Sequence, residues 1–296
     1  MFWFVLALAV AVLTAVVIGY VRRRSKRPVG VMVALDLGAR VRAAIKEFKK
    51  ASAWQPAAAR DAPQAAAAIE AALIAREPRR ALELAELALV ASSPEPTARV
   101  WLAWALCASG QPIAALDQLQ QVGTLSGNGA GALAKYVNAR AEHLKFEHGV
   151  GAVEAVPPLI TAADIAVVTL GRGRGSAAWL TGGAETQLSA AEVKAAVGEH
   201  REITGRCLEG ALDALALQPG FADGAYLVAR LSVKAGLVDE ASSMFHTIAP
   251  RMVGRPELEA FERDRRDLVD PSTAVANARI KPSAPSAKRS RSLKVL

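Results

Sequence analysis

A pattern that returns after 34 residues constrains this chain more than any other feature. Ala81, Ala85 and Ala88 are echoed at Ala115, Leu119 and Val122, and Cys207, Ala211 and Ala214 are echoed at Ala241, Phe245 and Ile248. Spacings of three and four put each trio on one face of a helix. A small-residue face recurring at a fixed period implies helical hairpins stacked side by side, each burying what its neighbour exposes. On a 34-residue ruler the hairpins run over 62–95, 96–129, 188–221 and 222–255. Gly110 and Gly236 each stand five residues before the echoed alanine, where a glycine ends a first helix in the left-handed conformation. The two blocks are out of phase: Ala115 to Ala241 is 126 residues, three periods with 24 left over. A divergent fifth hairpin is therefore expected over 130–187, opening with a helix at 132–147 and carrying an insertion around 157–187. Leu258, Phe261, Arg265 and Leu268 share a face in a capping helix over 256–270, and residues 271–296 have the composition of a disordered basic tail.

Ala241-x3-Phe245, and Pro219 twelve residues after Cys207, resemble the A-x3-F element and closing proline of the tetratricopeptide repeat. Leu102-Ala103-x2-Leu106 resembles its L-G-x2-Y element loosely, with Trp101 and Trp104 flanking Leu102 in place of the signature tryptophan. The chain is thus identified as a divergent member. The resemblance implies an all-α, TPR-like helical-hairpin solenoid over about two thirds of the sequence. It also implies a concave groove lined by first helices, which here names Thr97, Val100, Trp104, Cys107 and Ala108, then Asp223, Tyr226, Arg230, Val233 and Lys234. Trp104 and Tyr226 are the rigid aromatic anchors such a groove offers a protein or peptide partner. Arg230 and Lys234, one turn apart, are placed to hold a carboxylate together.

Residues 2–20 carry no charge, and nineteen residues of helix span about 28 Å, close to a bilayer core. Trp3 and Tyr20 sit at its ends, and Arg22, Arg23, Arg24, Lys26 and Arg27 follow at once. Positive charge after the apolar run, with no A-x-A site, favours an uncleaved anchor over a signal peptide. The positive-inside rule then predicts a single-pass protein of a bacterial inner membrane, its C-terminal domain cytoplasmic and its arginines on anionic lipid. Residues 21–61 read as a basic juxtamembrane helix and linker. The face Leu37, Val41, Ala44, Ile45 and Phe48 suits the headgroup layer and an N-terminal cap of the stack equally well. Five cations near the start and six in the last 26 residues exceed the net charge of +8, so the body between them carries −3. A mildly acidic body argues against nucleic acid as its partner.

Chemistry has little to stand on. Gly171-Arg172-Gly173-Arg174-Gly175-Ser176 lacks the Gly-Lys-Ser/Thr ending of a phosphate loop and the spacing of a dinucleotide fingerprint. It reads as a mobile surface insertion or as a basic loop anchored by Trp179. Glu142, His143, Glu147 and His148 do not form a zinc signature and read as a solvated helix face. Cys107 and Cys207 read as small buried hydrophobes. No catalytic residue, metal or cofactor is expected, and no small-molecule substrate. The expectation is a membrane-anchored scaffold that binds a protein or peptide in its groove. The alternative is a non-catalytic subunit of a membrane-associated enzyme or envelope-biogenesis complex, working through 157–187.

Overall fold

Prolines and left-handed corners divide the chain into short helices. The computed structural model describes residues 29–91, 95–123, 125, 127–148, 159 and 190–269. Among them, α1 (Val29–Lys50) and a 3-10 turn (Pro56–Ala58) lead into α2 (Ala66–Ile74), α3 (Pro78–Ala91), α4 (Pro96–Ala108) and α5 (Pro112–Gln120). A long pair follows, α6 (Asn128–His148) and α7 (Ala190–Leu217), then α8 (Ala222–Lys234), α9 (Val238–Ile248) and α10 (Leu258–Val269). The one extended pairing among the described residues is an isolated parallel bridge between Trp54 and Phe221.

Pro78, Pro96 and Pro112 open their helices, where the missing N–H costs nothing. Three hairpin corners share one geometry. Arg76, Gly110 and Gly236 have φ of 60°, 78° and 81°. The next N–H in each case closes the turn: Glu77 donates to Ala72, Gln111 to Leu106 and Leu237 to Ser232, at 2.8–2.9 Å. Of the three, only Arg76 incurs the Cβ penalty of the left-handed region. Arg76→Gly is therefore expected to stabilise the chain by about 1 kcal/mol, read as a rise of a few degrees in thermal melting.

The echoed small residues are the ridge along which the helices meet. Ala81, Ala85, Ala115, Ala211, Ala214, Ala241, Phe245 and Ile248 are fully buried, and Ala88 and Cys207 nearly so. Leu119 and Val122 are half-buried against the same core. Where α6 crosses α7, a Cβ on Gly210 would lie 3.3 Å from that of Ala139, so only small residues permit the approach. A file of aromatic rings runs through the centre, from Trp54 to Phe221, Tyr136, Trp104 and Trp101, with centroids 5.0–6.2 Å apart.

The expected solenoid does not form, and the architecture is corrected to an all-α helical bundle. The ruler demands a turn inside 188–221, yet α7 runs unbroken through Ala190–Leu217. Gly205, near the required turn, stays helical instead of turning the chain. α6 and α7 have 21 and 28 residues against 9–14 in the short hairpins, so no uniform unit repeats. The chain beyond α9 also folds back over α8 and closes what a solenoid leaves open.

The membrane reading is corrected as well. Residues 2–20 and the cations Arg22, Arg23, Arg24, Lys26 and Arg27 lie outside the described residues. Among those described, no helix is long and apolar enough to cross a membrane. α1 contains apolar residues but is amphipathic: Leu37, Val41, Ile45 and Phe48 are buried against α7 and α9, and the polar face is solvated. Arg40 pairs with Asp213 of α7 at 3.0 Å, and Arg42 pairs with Glu240 of α9. The guanidinium of Arg251 stands 4.4 Å over the Phe48 ring. The face read as suited to headgroups is thus taken up by the bundle. The single-pass inner-membrane topology and the anionic-lipid contact find no support here.

Candidate functional site

α8 is buried on every side, from Ala222 to Lys234. Its neighbours are α7, α9, α1 and α6, and the returning segment 252–269 covers the face it would otherwise show to solvent. That face is polar, so the cover has to be polar too. Arg255 donates from Nε to Asp223 at 3.1 Å, and its Nη2 meets the same carboxylate. Its Nη1 stands 2.6 Å from Glu70 of α2. Glu257 pairs with Arg140 of α6 at 2.6 Å. Asp264 accepts from Tyr226 Oη and from Arg230 Nη1, both at 2.6 Å. Phe261 is fully buried and stacks on Phe245 at 5.6 Å, with its edge geometry to Tyr226 at 5.7 Å.

Burial sets the ionisation here, tempered by the partner charges. It pushes the Glu70 and Glu257 carboxyls up, and Arg255 and Arg140 respectively pull them back. Burial and then the Asp264 charge hold the Tyr226 hydroxyl well above the usual range, so it stays a donor. Burial pushes the Cys107 thiol up to about 11, which leaves it without thiolate character.

Beside this covered face lies a cleft of about 440 Å³. Its floor is Leu73, Trp104 and Ala108, and one wall is the near face of α10, with Ala260, Arg263 and Arg266. Arg76, at the left-handed corner, and the Arg140–Glu257 pair complete it. The indole N–H of Trp104 is buried with no hydrogen-bond acceptor among the described residues. Arg76 pairs with Glu259 at the rim.

The residues named for a groove fall into three places. Asp223, Tyr226 and Arg230 converge on 252–269, and Lys234 is buried at the end of the same helix. Arg230 does hold a carboxylate, but it belongs to Asp264 of the same chain. Trp104 faces the cleft, whereas Thr97 and Val100 close a space of about 10 Å³ against Pro56 and Gly129. The pattern missed Glu70, Arg140, Arg255, Glu257, Phe261 and Asp264. Phe261 alone had a signal, the apolar stripe of its helix. His143 is buried on α6 rather than solvated. Residues 149–158 and 160–189, with Trp179 and the glycine-rich loop, lie outside the described residues. Among those described, no group of three or more His, Cys, Asp and Glu is placed to hold a metal ion.

Fold and site together define an all-α helical bundle with one buried, charge-laced seam. No family model matches the chain, and neither a curated protein nor a solved structure matches it. Membership of the tetratricopeptide family is corrected accordingly. The membrane-anchored scaffold, and the subunit of a membrane-associated complex, go with it: no family model matches, and no helix among the described residues is long and apolar enough to cross a membrane.

Proposed function

We propose that the chain is a non-catalytic protein-recognition module whose receptor face is the polar side of α8 with its flanks on α2, α6 and α9. The ligand is a helix presenting a phenylalanine and, three residues on, an aspartate. One observation carries this reading: the chain's own α10 is held in that way, by Phe261 and Asp264. Helix-in-groove recognition uses such anchors at one-turn spacing. The seat is selective but its hold is modest. Burying Phe261 contributes about 1.5–3 kcal/mol. Buried ion pairs come close to break-even once desolvation is counted. A partner helix with the same two anchors and a better apolar face can therefore displace α10.

A labelled peptide of residues 252–269 stands in for the partner, and fluorescence anisotropy reads its binding to the full chain. Phe261→Ala in the chain loosens the resident helix, so the peptide is expected to bind that variant at least about tenfold more tightly than wild type. A peptide carrying Asp264→Ala should compete poorly. If the wild-type peptide binds neither chain while circular dichroism shows both folded, the receptor reading is lost.

A further inference from the structure

The segment that covers α8 is joined to the rest of the bundle by a single turn. The Arg255 N–H donates to the Met252 carbonyl at 3.0 Å, and Gly254 between them has φ of 72°. Val253 does not share the positive φ, which makes this a type II β-turn. Its two central residues lie open: Val253 is 77% exposed, and nothing stands within 4 Å of a Cβ built on Gly254. The anchors on either side are firm and separate. Before the turn, Met252 is fully buried, and Arg251 holds the Ala51 carbonyl and the Phe48 ring of α1. After it, Arg255, Glu257, Phe261 and Asp264 are buried against α2, α6, α8 and α9. Residues 255–269 are thus able to leave without unpacking what precedes the turn. Resting on the helix-receptor reading above, we infer that the partner helix is the same segment of a second copy of this chain. Two copies open the Met252–Arg255 turn and exchange 255–269, each filling the other's seat.

The charge order of the seat names this occupant. Glu70 and Asp223 call for a cation, here Arg255. Arg140 calls for an anion shortly after it, here Glu257. Tyr226 and Phe245 take a ring, here Phe261, and Tyr226 with Arg230 calls for a second anion, here Asp264. A foreign helix lacking any one of these leaves a buried charge unpaired, and the seat rejects it. A second copy carries all four in register, so exchange remakes each buried contact and changes only the hinge. The balance is then set by concentration and by the turn. A segment on a short linker meets its own seat at an effective concentration of about millimolar. Glycine holds φ of 72° without strain, so the closed monomer prevails below that concentration. A β-branched residue at 254 opposes that φ but takes extended backbone readily. It penalises the closed turn and spares the opened one, by roughly tenfold per hinge. Two hinges shift dimerisation about a hundredfold, from about millimolar to about 10 µM.

The test uses the full chain, refolded from urea at about 100 µM so that either seat is open to either segment. Mass is read by light scattering behind a sizing column, and circular dichroism checks that each chain is helical. Wild type is expected to be mostly monomer and Gly254→Val mostly dimer. Inserting about three glycines directly after Val253 in the valine variant lets the chain turn back without a left-handed residue, so it should return to monomer. A dimer made by an exposed surface patch has no reason to respond to hinge length. Should the valine variant fail to fold, Gly254→Ala, whose Cβ enters open space, is read in the same way with a smaller shift. A folded Gly254→Val that stays monomeric, or a dimer that survives the insertion, overturns the exchange. The peptide of 252–269 then separates the two readings. If it binds the chain as proposed above, the receptor stands and only the second copy is lost as its partner.

Discussion

Arg255→Met is expected to destabilise the chain by about 3–5 kcal/mol, the usual cost of removing one partner from a buried ion cluster. Thermal melting should fall by roughly 10–15 °C for a domain of this size. Arg255 stands between Glu70 and Asp223, whose side chains are 6% and 0% exposed. Glu70 has one further donor, the Ala57 N–H at 3.1 Å. Without the guanidinium, two buried carboxylates face each other. The loss should also depend on pH, in a direction fixed by the Glu70 carboxyl. Burial already raises it above its unfolded value, and Arg255 is the largest influence pulling it down. In the variant it rises further. A group whose folded pKa lies above its unfolded one adds stability below the unfolded value and loses it as pH climbs through the folded value. The deficit should therefore be small near pH 4–5 and complete at pH 8. Urea unfolding at the two pH values checks this, and an equal deficit at both would show that Arg255 acts by packing alone. Adding Glu70→Gln and Asp223→Asn to the Arg255→Met variant should recover much of the loss, because neutral groups tolerate the site.

That cluster marks where sequence reading stops. The hairpin corners are legible because their cause is local: Gly110 and Gly236 sit where a left-handed residue ends a helix, and the structure gives them φ of 78° and 81°. The small-residue faces are legible because helical period is local too, and Ala81, Ala85, Ala115 and Ala241 are all fully buried. Helix existence follows from such signals; assembly does not. Nothing near residue 205 says whether the chain turns or continues, and α7 continues. Packing against α1, α6 and α8 decides it. The site is less legible still. Asp223, Tyr226 and Arg230 are named by the groove positions that the tetratricopeptide resemblance implies, but an exposed groove and a covered seam place the same residues on the same helix. Which one it is depends on Arg255, Phe261 and Asp264, 32–38 residues downstream, and on Glu70, which precedes Arg255 by far more. Charge pairing over such separations has no periodic trace.

Gly220→Ala is the other substitution expected to act strongly, by about 3–4 kcal/mol, summing overpacking against backbone and one lost buried hydrogen bond. A Cβ at Gly220 would lie 1.9 Å from the Ser52 carbonyl oxygen and 3.2 Å from the Trp54 nitrogen. Both are backbone atoms, so no side-chain rotation relieves the clash. The strand-like seam must open, and it carries the Trp54 N–H bond to the Gly220 carbonyl at 3.1 Å and the Trp54 ring against Phe221 at 5.0 Å. Two control substitutions separate this from a general intolerance of alanine. Gly123 has nothing within 4 Å of its would-be Cβ, so Gly123→Ala should lie within about 0.5 kcal/mol of wild type. Gly224 meets the Phe221 and Leu215 side chains, which can shift, so Gly224→Ala should fall between the two. The seam also leads to the covered face: Ala51 accepts from Arg251 at 2.8 Å, and Ala57 donates to Glu70 at 3.1 Å. A displaced 51–57 segment weakens the seat of Arg255 before Arg255 is touched. The double variant Gly220→Ala with Arg255→Met should therefore lose less than the sum of the two single variants, by about 0.5 kcal/mol or more. Strict additivity in urea unfolding would show the seam and the charged cluster to be independent, and would leave the Gly220 clash as a local effect.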